Sequence, residues 1–92
     1  MKKNENIQLI KGTFHPDDAR YVLLGLIKYK INFHHMKQFS FEERFGQKDL
    51  PSEKRLIELK KSKQQIIELI ESANKNDSLL KMEAVITIQL EE

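Results

Sequence analysis

The sequence predicts an α+β domain in which a strand, two long helices and a second strand follow one another. Apolar residues alternate with polar ones near the C-terminal end, and two long central segments repeat their apolar residues every three or four positions. Two antiparallel helices return the chain to its starting point, so the strands can pair as a small antiparallel sheet on which the long helical hairpin packs.

The first predicted strand covers residues 6–14, which are rich in strand-forming side chains. Its alternation is imperfect, because Ile7 and Leu9 fall on one face. Ile10 and Phe14 fall on the opposite face. Such a strand is either covered on both faces or carries a β-bulge near Ile10 that shifts its parity.

A helix is predicted over residues 16–39, since Pro16 suits the first helical position, with His15 as the N-cap. Its apolar residues form two stripes when they are placed at about 100° per residue. The first stripe consists of Val22, Leu26, Tyr29, Phe33 and Met36, and the second stripe consists of Leu24, Ile27 and Ile31. Together they are wider than the apolar stripe of a surface helix, so we expect this helix to contact its own core and another surface.

The segment SFEE at residues 40–43 matches a capping box, in which a serine and a following glutamate satisfy each other's backbone amides. It predicts a kink or a helix restart over residues 41–45, with Gly46 as the stop. The phenylalanine cluster consists of Phe39, Phe41 and Phe45. We expect this cluster either to close the core at the hairpin tip or to dock a partner.

The second helix is predicted over residues 51–75, with Asp49 or Leu50 as its cap and Pro51 in its first turn. Its apolar stripe has the spacing of a coiled-coil seam and consists of Leu56, Leu59, Ile66, Ile70 and Ala73. Most of its other positions are charged or carry amides, which indicates one buried face and one solvated face.

The clearest alternation lies at residues 80–91 and predicts a long strand with one buried face. Its apolar face consists of Leu80, Met82, Ala84, Ile86, Ile88 and Leu90. A sheet of only two strands is marginal in water and leaves both edges open. We therefore expect a homodimer that uses the second stripe of the first helix and a strand edge.

The composition is that of one folded domain over residues 1–92, since 39% of the residues are hydrophobic and 33% are charged. There is no cysteine, which excludes disulfides, thiolate metal sites and thiol nucleophiles. The N-terminal segment lacks the apolar stretch of a secretion signal, and no apolar run has the length of a membrane span. We expect a cytoplasmic protein with no membrane partner.

Nothing in the sequence is arranged as in a catalytic site. The serines lie at helix caps, on a polar helix face or in a turn, and the glycines are too dispersed for a phosphate loop. We therefore expect no enzymatic activity and no cofactor. His34 and His35 point about 100° apart on a helix, so a metal ion would need further ligands such as His15 or Glu42. No ligand spacing supports such a site, and we expect His34 at the border of an interface and His35 in solvent.

These observations predict a non-catalytic, homo-oligomerising scaffold or protein-interaction domain, with an unidentified protein as a further partner. The interface candidates are Leu24, Ile27, Ile31, Phe33, His34, Met36, Phe39, Phe41 and Phe45. The alternative is a nucleic-acid-binding accessory protein that uses Arg55, Lys60, Lys61 and Lys63. Nucleic acid is the less favoured partner, because glutamates are interleaved with those cations and the net charge is only +2.

Overall fold

The computed structural model describes residues 3–91, and residues 1, 2 and 92 of the predicted domain lie outside the described part. The elements are strand β1 (Asn4–Phe14), helix α1 (Pro16–Phe45), helix α2 (Leu50–Lys75) and strand β2 (Leu80–Gln89). The strands form a two-stranded antiparallel sheet, on which the two helices pack as a hairpin. The predicted α+β class and the predicted element order are confirmed.

The ends of the helices differ in how they are capped. The N-cap of α1 is His15, whose side chain makes no capping hydrogen bond. Its C-cap is Gly46, which has a φ of 65° and donates its N–H to the Glu42 carbonyl over 2.8 Å. Glycine adopts this left-handed conformation without a steric penalty. The N-cap of α2 is Asp49, whose carboxylate accepts the backbone N–H of Ser52.

Helix α1 differs from the sequence expectation around residues 40–43. It is continuous to Phe45, so the helix restart over residues 41–45, one of the two alternatives that the capping-box pattern predicted beside a kink, does not occur. A capping box needs backbone amides left free at a new helix start, and in a continuous helix those amides bond the preceding turn. The predicted stop at Gly46 is confirmed.

The pairing of β1 with β2 contains one irregularity. Gln8 pairs with Val85 and Ile10 pairs with Ala84, so Leu9 is the extra residue of a β-bulge. A bulge near Ile10 is one of the two alternatives that the broken alternation of this strand predicted, the other being a strand covered on both faces. Its effect is to place most apolar residues of both strands on one face of the sheet. On that face Phe14, Gly12, Ile10 and Ile7 pair with Leu80, Met82, Ala84 and Ile86 in that order.

The hydrophobic core follows the seam between the helices and reaches the sheet only at its base. The buried apolar residues are Ile10, Ala19, Ile27, Leu56, Leu59, Ile70 and Ala73. The predicted stripe of α2 supplies most of them. In β2 the apolar face is half-buried as far as Ala84 and exposed from Ile86 onward, so the predicted buried face is covered only over its first half.

The molecule is extended for its mass, with dimensions of 50 × 36 × 15 Å. Its radius of gyration is 16.7 Å, compared with about 12 Å for a compact domain of this length. Its accessible surface of 7720 Å² is about 1.4 times the value expected for a folded monomer of 10.9 kDa. The sheet and the helical hairpin therefore leave much of each other uncovered.

A conservative truncation in the helix seam tests this core. Ile70 is 1% exposed and Ile57, on the same helix, is 66% exposed. We expect Ile70→Val to lower the free energy of unfolding by about 0.5–1.5 kcal/mol, because it leaves a small cavity among packed side chains. Ile57→Val is the matched control and should change it by less than about 0.5 kcal/mol. Urea denaturation followed by circular dichroism measures both, and equal effects would contradict the assigned core.

Candidate interaction surface

The first stripe of α1 is exposed to solvent. Tyr29 and Met36 are 75% and 72% exposed, and Leu26 and Phe33 are close to half exposed. These residues follow one another at intervals of three or four, so they form a continuous apolar band. From Val22 to Met36 this band is about 21 Å long. A solvated apolar band of this kind marks a docking surface more often than a chance feature.

The second stripe of α1 faces α2 instead. Ile27 is buried, while Leu24 and Ile31 are half-buried. His34 lies on the same side of α1 and contacts Ser52 of α2, which fixes this side of the helix against its neighbour. The sequence expectation had assigned the second stripe to a dimer interface. In the structure α2 covers the second stripe, and the first stripe is the one left open.

The far half of the sheet carries a second open apolar surface. We call residues 4–9 and 85–89 the distal ribbon, and all of them are exposed. Its apolar face presents Ile7, Ile86 and Ile88, each between 42% and 48% exposed. A two-stranded ribbon with one uncovered apolar face is marginal in water by itself. It is stabilised when another surface covers that face.

The opposite face of the distal ribbon is mostly polar. Thr87 donates its hydroxyl hydrogen to the side-chain carbonyl of Asn6 across the strands, over 3.0 Å. The Gln8 amide donates to the Glu83 carboxylate over 3.3 Å. These cross-strand bonds satisfy polar groups in contact with water. The polar face is therefore satisfied by its own hydrogen bonds and by water, whereas the apolar face is left uncovered.

A groove joins the distal ribbon to the first stripe. It encloses about 520 Å³ and is lined by Leu9, Ile10, Tyr21, Val22, Gly25 and Leu26. A Cβ atom added at Gly25 would meet nothing within 4 Å, so the floor of the groove is open at this residue. The groove makes the apolar surfaces of the sheet and of α1 continuous.

The three side chains of the phenylalanine cluster differ in their exposure to solvent. Phe41 is half-buried, and its ring centroid lies 4.7 Å from that of Phe45. Phe39 and Phe45 are 63% and 58% exposed. Because the start of α2 lies beside His34, the last turns of α1 extend beyond it. The cluster thus holds one side chain against the hairpin and presents two at its tip.

A short polar chain ties α1 to the start of α2. The buried Ser52 donates its hydroxyl hydrogen to the buried Asp49 carboxylate over 2.9 Å. His34 Nδ1 lies 3.5 Å from the Ser52 oxygen, and since the serine proton is directed at Asp49, Nδ1 is the donor in this long contact. The buried Ser52 hydroxyl thus bonds both Asp49 and His34, and this chain of contacts holds α1 against the start of α2.

The environment of His34 disfavours its protonation. Burial lowers the pKa of His34 below its ordinary value of 6.5, and the nearby cations Lys30, Lys37 and Arg55 lower it further, while Asp49 opposes them. His34 Nε2 is enclosed and has no hydrogen-bond partner among the described residues. A proton at this atom would therefore be a charge without an acceptor.

The basic residues of the nucleic-acid alternative do not share a face of α2. At about 100° per residue, Lys60 and Lys63 lie about 60° apart, whereas Lys61 and Arg55 lie about 100° and about 140° from Lys60. Arg55 also pairs with Glu58 over 2.8 Å, and Lys63 is half-buried. The excess of positive charge lies on α1, where residues 19–41 contain no acidic side chain. The cations of that segment are Arg20, Lys28, Lys30 and Lys37.

No three potential His, Cys, Asp or Glu ligands within residues 3–91 come together as a metal site. Neither described helix contains a stretch both apolar enough and long enough to cross a bilayer.

No protein-family model, curated protein or solved structure matches this chain. Its function must therefore be inferred from its own surfaces. The spacing of the first stripe, which alternates four and three residues from Val22 onward, groups Leu26 and Tyr29 with Phe33 and Met36, but the sequence analysis names only Phe33 and Met36 as interface candidates. No sequence signal pointed to the tie through Ser52.

The lowered pKa of His34 predicts a pH-dependent stability. Between that pKa and 6.5 the unfolded chain binds more protons at this residue than the folded chain does. The contribution of His34 to the free energy of unfolding therefore rises with pH through this window and is complete above about pH 7.5. Urea denaturation at several pH values from about 5.5 to 8 measures this rise.

His34→Asn keeps a side-chain donor toward Ser52 but removes the titrating group, and we expect it to flatten the rise. The matched control is His35→Asn, because His35 is the exposed neighbour on the same helix. That variant should retain the pH dependence of the unaltered chain. An undiminished slope in His34→Asn would show that another group is responsible.

Proposed function

We propose that this chain is a small non-catalytic domain that self-associates as a homodimer and acts as a scaffold or protein-interaction module. The observation that carries the proposal is the surplus of accessible surface. The value of 7720 Å² exceeds that of a compact monomer of this mass by about 2,100 Å². Permanent homodimers bury about 1,000–2,500 Å² on each subunit. The surplus is therefore of the size that such a dimer removes from water.

The position of the exposed apolar side chains supports the same proposal. The first stripe and the apolar face of the distal ribbon adjoin each other through a groove rather than lying scattered. Single exposed apolar residues are ordinary on protein surfaces, whereas contiguous apolar surfaces mark interaction sites. As part of the proposal we place the protein in the cytoplasm, because a cysteine-free chain suits a reducing compartment.

Self-association is tested by light scattering coupled to size exclusion at micromolar concentrations. We expect a particle of twice 10.9 kDa. Tyr29→Glu should weaken the dimer at least about 30-fold while helicity is retained, because it puts a carboxylate into a dehydrated contact. The matched control is Ile57→Glu, since Ile57 is an exposed apolar residue on α2. A strictly monomeric unaltered chain would refute the proposal.

The nucleic-acid alternative makes a different prediction, although the scattered cations of α2 do not favour it. We expect fluorescence anisotropy with duplex and single-stranded oligonucleotides at low salt to show no saturable binding. A charge-driven site would instead give an affinity that falls steeply with salt. If such binding appeared, two charge-reversed variants would identify the helix that contacts the nucleic acid. Replacing Lys60 and Lys61 with glutamates should weaken binding if α2 makes the contact. Replacing Lys28 and Lys30 with glutamates should weaken it if α1 makes the contact.

A further inference from the structure

We infer that the two copies dock reciprocally, with the apolar face of each distal ribbon packed on the first stripe of its partner's α1. This inference rests on the proposed homodimer and names the two surfaces that form it. Both surfaces belong to the same chain, so a twofold axis forms the contact twice. A second copy is the occupant because the surplus surface of one chain matches what each subunit of a homodimer buries.

The two surfaces are similar in length. The first stripe extends about 21 Å along α1 from Val22 to Met36. The distal ribbon extends about 17 Å from Leu9 to Asn4, at the rise per residue of an antiparallel strand. The ribbon can therefore cover most of the first stripe.

The bulge at Leu9 keeps the docking face of the ribbon mostly apolar, with Glu5, which pairs with Ile88, as its charged residue. Because of this extra residue, Ile7 pairs with Ile86 on the face that Ile10 and Ala84 occupy nearer the hairpin. In the half nearer the hairpin this face already packs on the chain's own helices, where Ile10 is buried. The distal ribbon is the continuation of a face that binds helices, and it has no helix of its own beneath it.

The distribution of charge favours a contact between the distal ribbon and the partner's α1 over a contact between the two α1 helices. Lys28, Lys30 and Lys37 flank the first stripe and residues 19–41 contain no acidic residue, so two α1 helices packed along this stripe would set like charges against each other. Among the described residues, this end of the ribbon carries the carboxylates of Glu5 and Glu91 and the ammonium group of Lys3, which lies 3.4 Å from the Glu5 carboxylate, so its net charge is −1. The ribbon is therefore the better counterpart for the basic borders of the first stripe.

The groove beside Gly25 provides the start of the contact. Its walls contain Leu9 and Ile10 of β1 and Val22 and Leu26 of the first stripe. A partner ribbon that follows the first stripe reaches this groove at the Val22 end. The reciprocal arrangement thus covers the stripe, the ribbon and the groove of both chains together.

Cysteine cross-linking tests this arrangement on a clean background, because the chain contains no cysteine. Full-length Tyr29→Cys labelled with a heavy nitrogen isotope is mixed with unlabelled Ile86→Cys, left to exchange subunits and then oxidised. Intact mass distinguishes the mixed disulfide from the two symmetric ones. Thr87→Cys replaces Ile86→Cys in the control mixture, since Thr87 lies on the opposite face of the same ribbon.

We expect the mixed disulfide between positions 29 and 86 to form at least about tenfold faster than either symmetric disulfide, because docking holds these thiols together. The control mixture should lack this preference. Dominant symmetric disulfides at position 29 or at position 86 would overturn the inference and leave the homodimer standing. An intrachain disulfide in a chain that carries both substitutions, together with a monomeric mass, would overturn both.

Discussion

The seam between α1 and α2 is the interaction on which the rest of this structure depends. It contains most of the buried apolar residues, among them Ile27 and Ile70. A helical hairpin of this kind uses one side of each helix. The first stripe lies about 140° around α1 from that side, so the interaction that stabilises the hairpin also leaves the first stripe uncovered. The sheet covers only the base of the hairpin, so it does not cover the first stripe either.

The β-bulge at Leu9 sets a second constraint. An antiparallel ladder without it would turn Ile7 toward the polar face of the ribbon, and the two faces would be mixed in character. With the bulge, one face is apolar over nearly its whole length. The helical hairpin reaches only half of that face, so a single local irregularity concentrates the uncovered apolar surface of the sheet on one side.

The polar tie through His34 connects these features to the surface of α1. Its ring packs edge-on against Phe33, with the centroids 5.3 Å apart, and Phe33 belongs to the first stripe. The ammonium group of Lys30 lies 4.9 Å from the centre of the same phenylalanine ring. A neutral His34 that is hydrogen-bonded to Ser52 therefore packs against Phe33, a residue of the exposed first stripe, from the side of α1 that faces α2. The position of the His34 ring and the position of the Phe33 side chain therefore depend on each other, because the two rings are in direct contact.

The sequence by itself determined which elements form and which residues share a face. Alternation over residues 80–91 predicted β2, and the spacing from Leu56 to Ala73 predicted the seam of α2. The broken parity near Ile10 predicted either a bulge or a strand covered on both faces, and the bulge is the alternative that occurs. The helix restart offered for residues 40–43 does not occur, because the local capping pattern lies within a continuous helix. Only the tertiary structure decided which stripe of α1 is covered. Periodicity is a property of the local backbone, and both stripes have it. Coverage depends on where α2 and the sheet lie in space, which contacts distant in the chain decide.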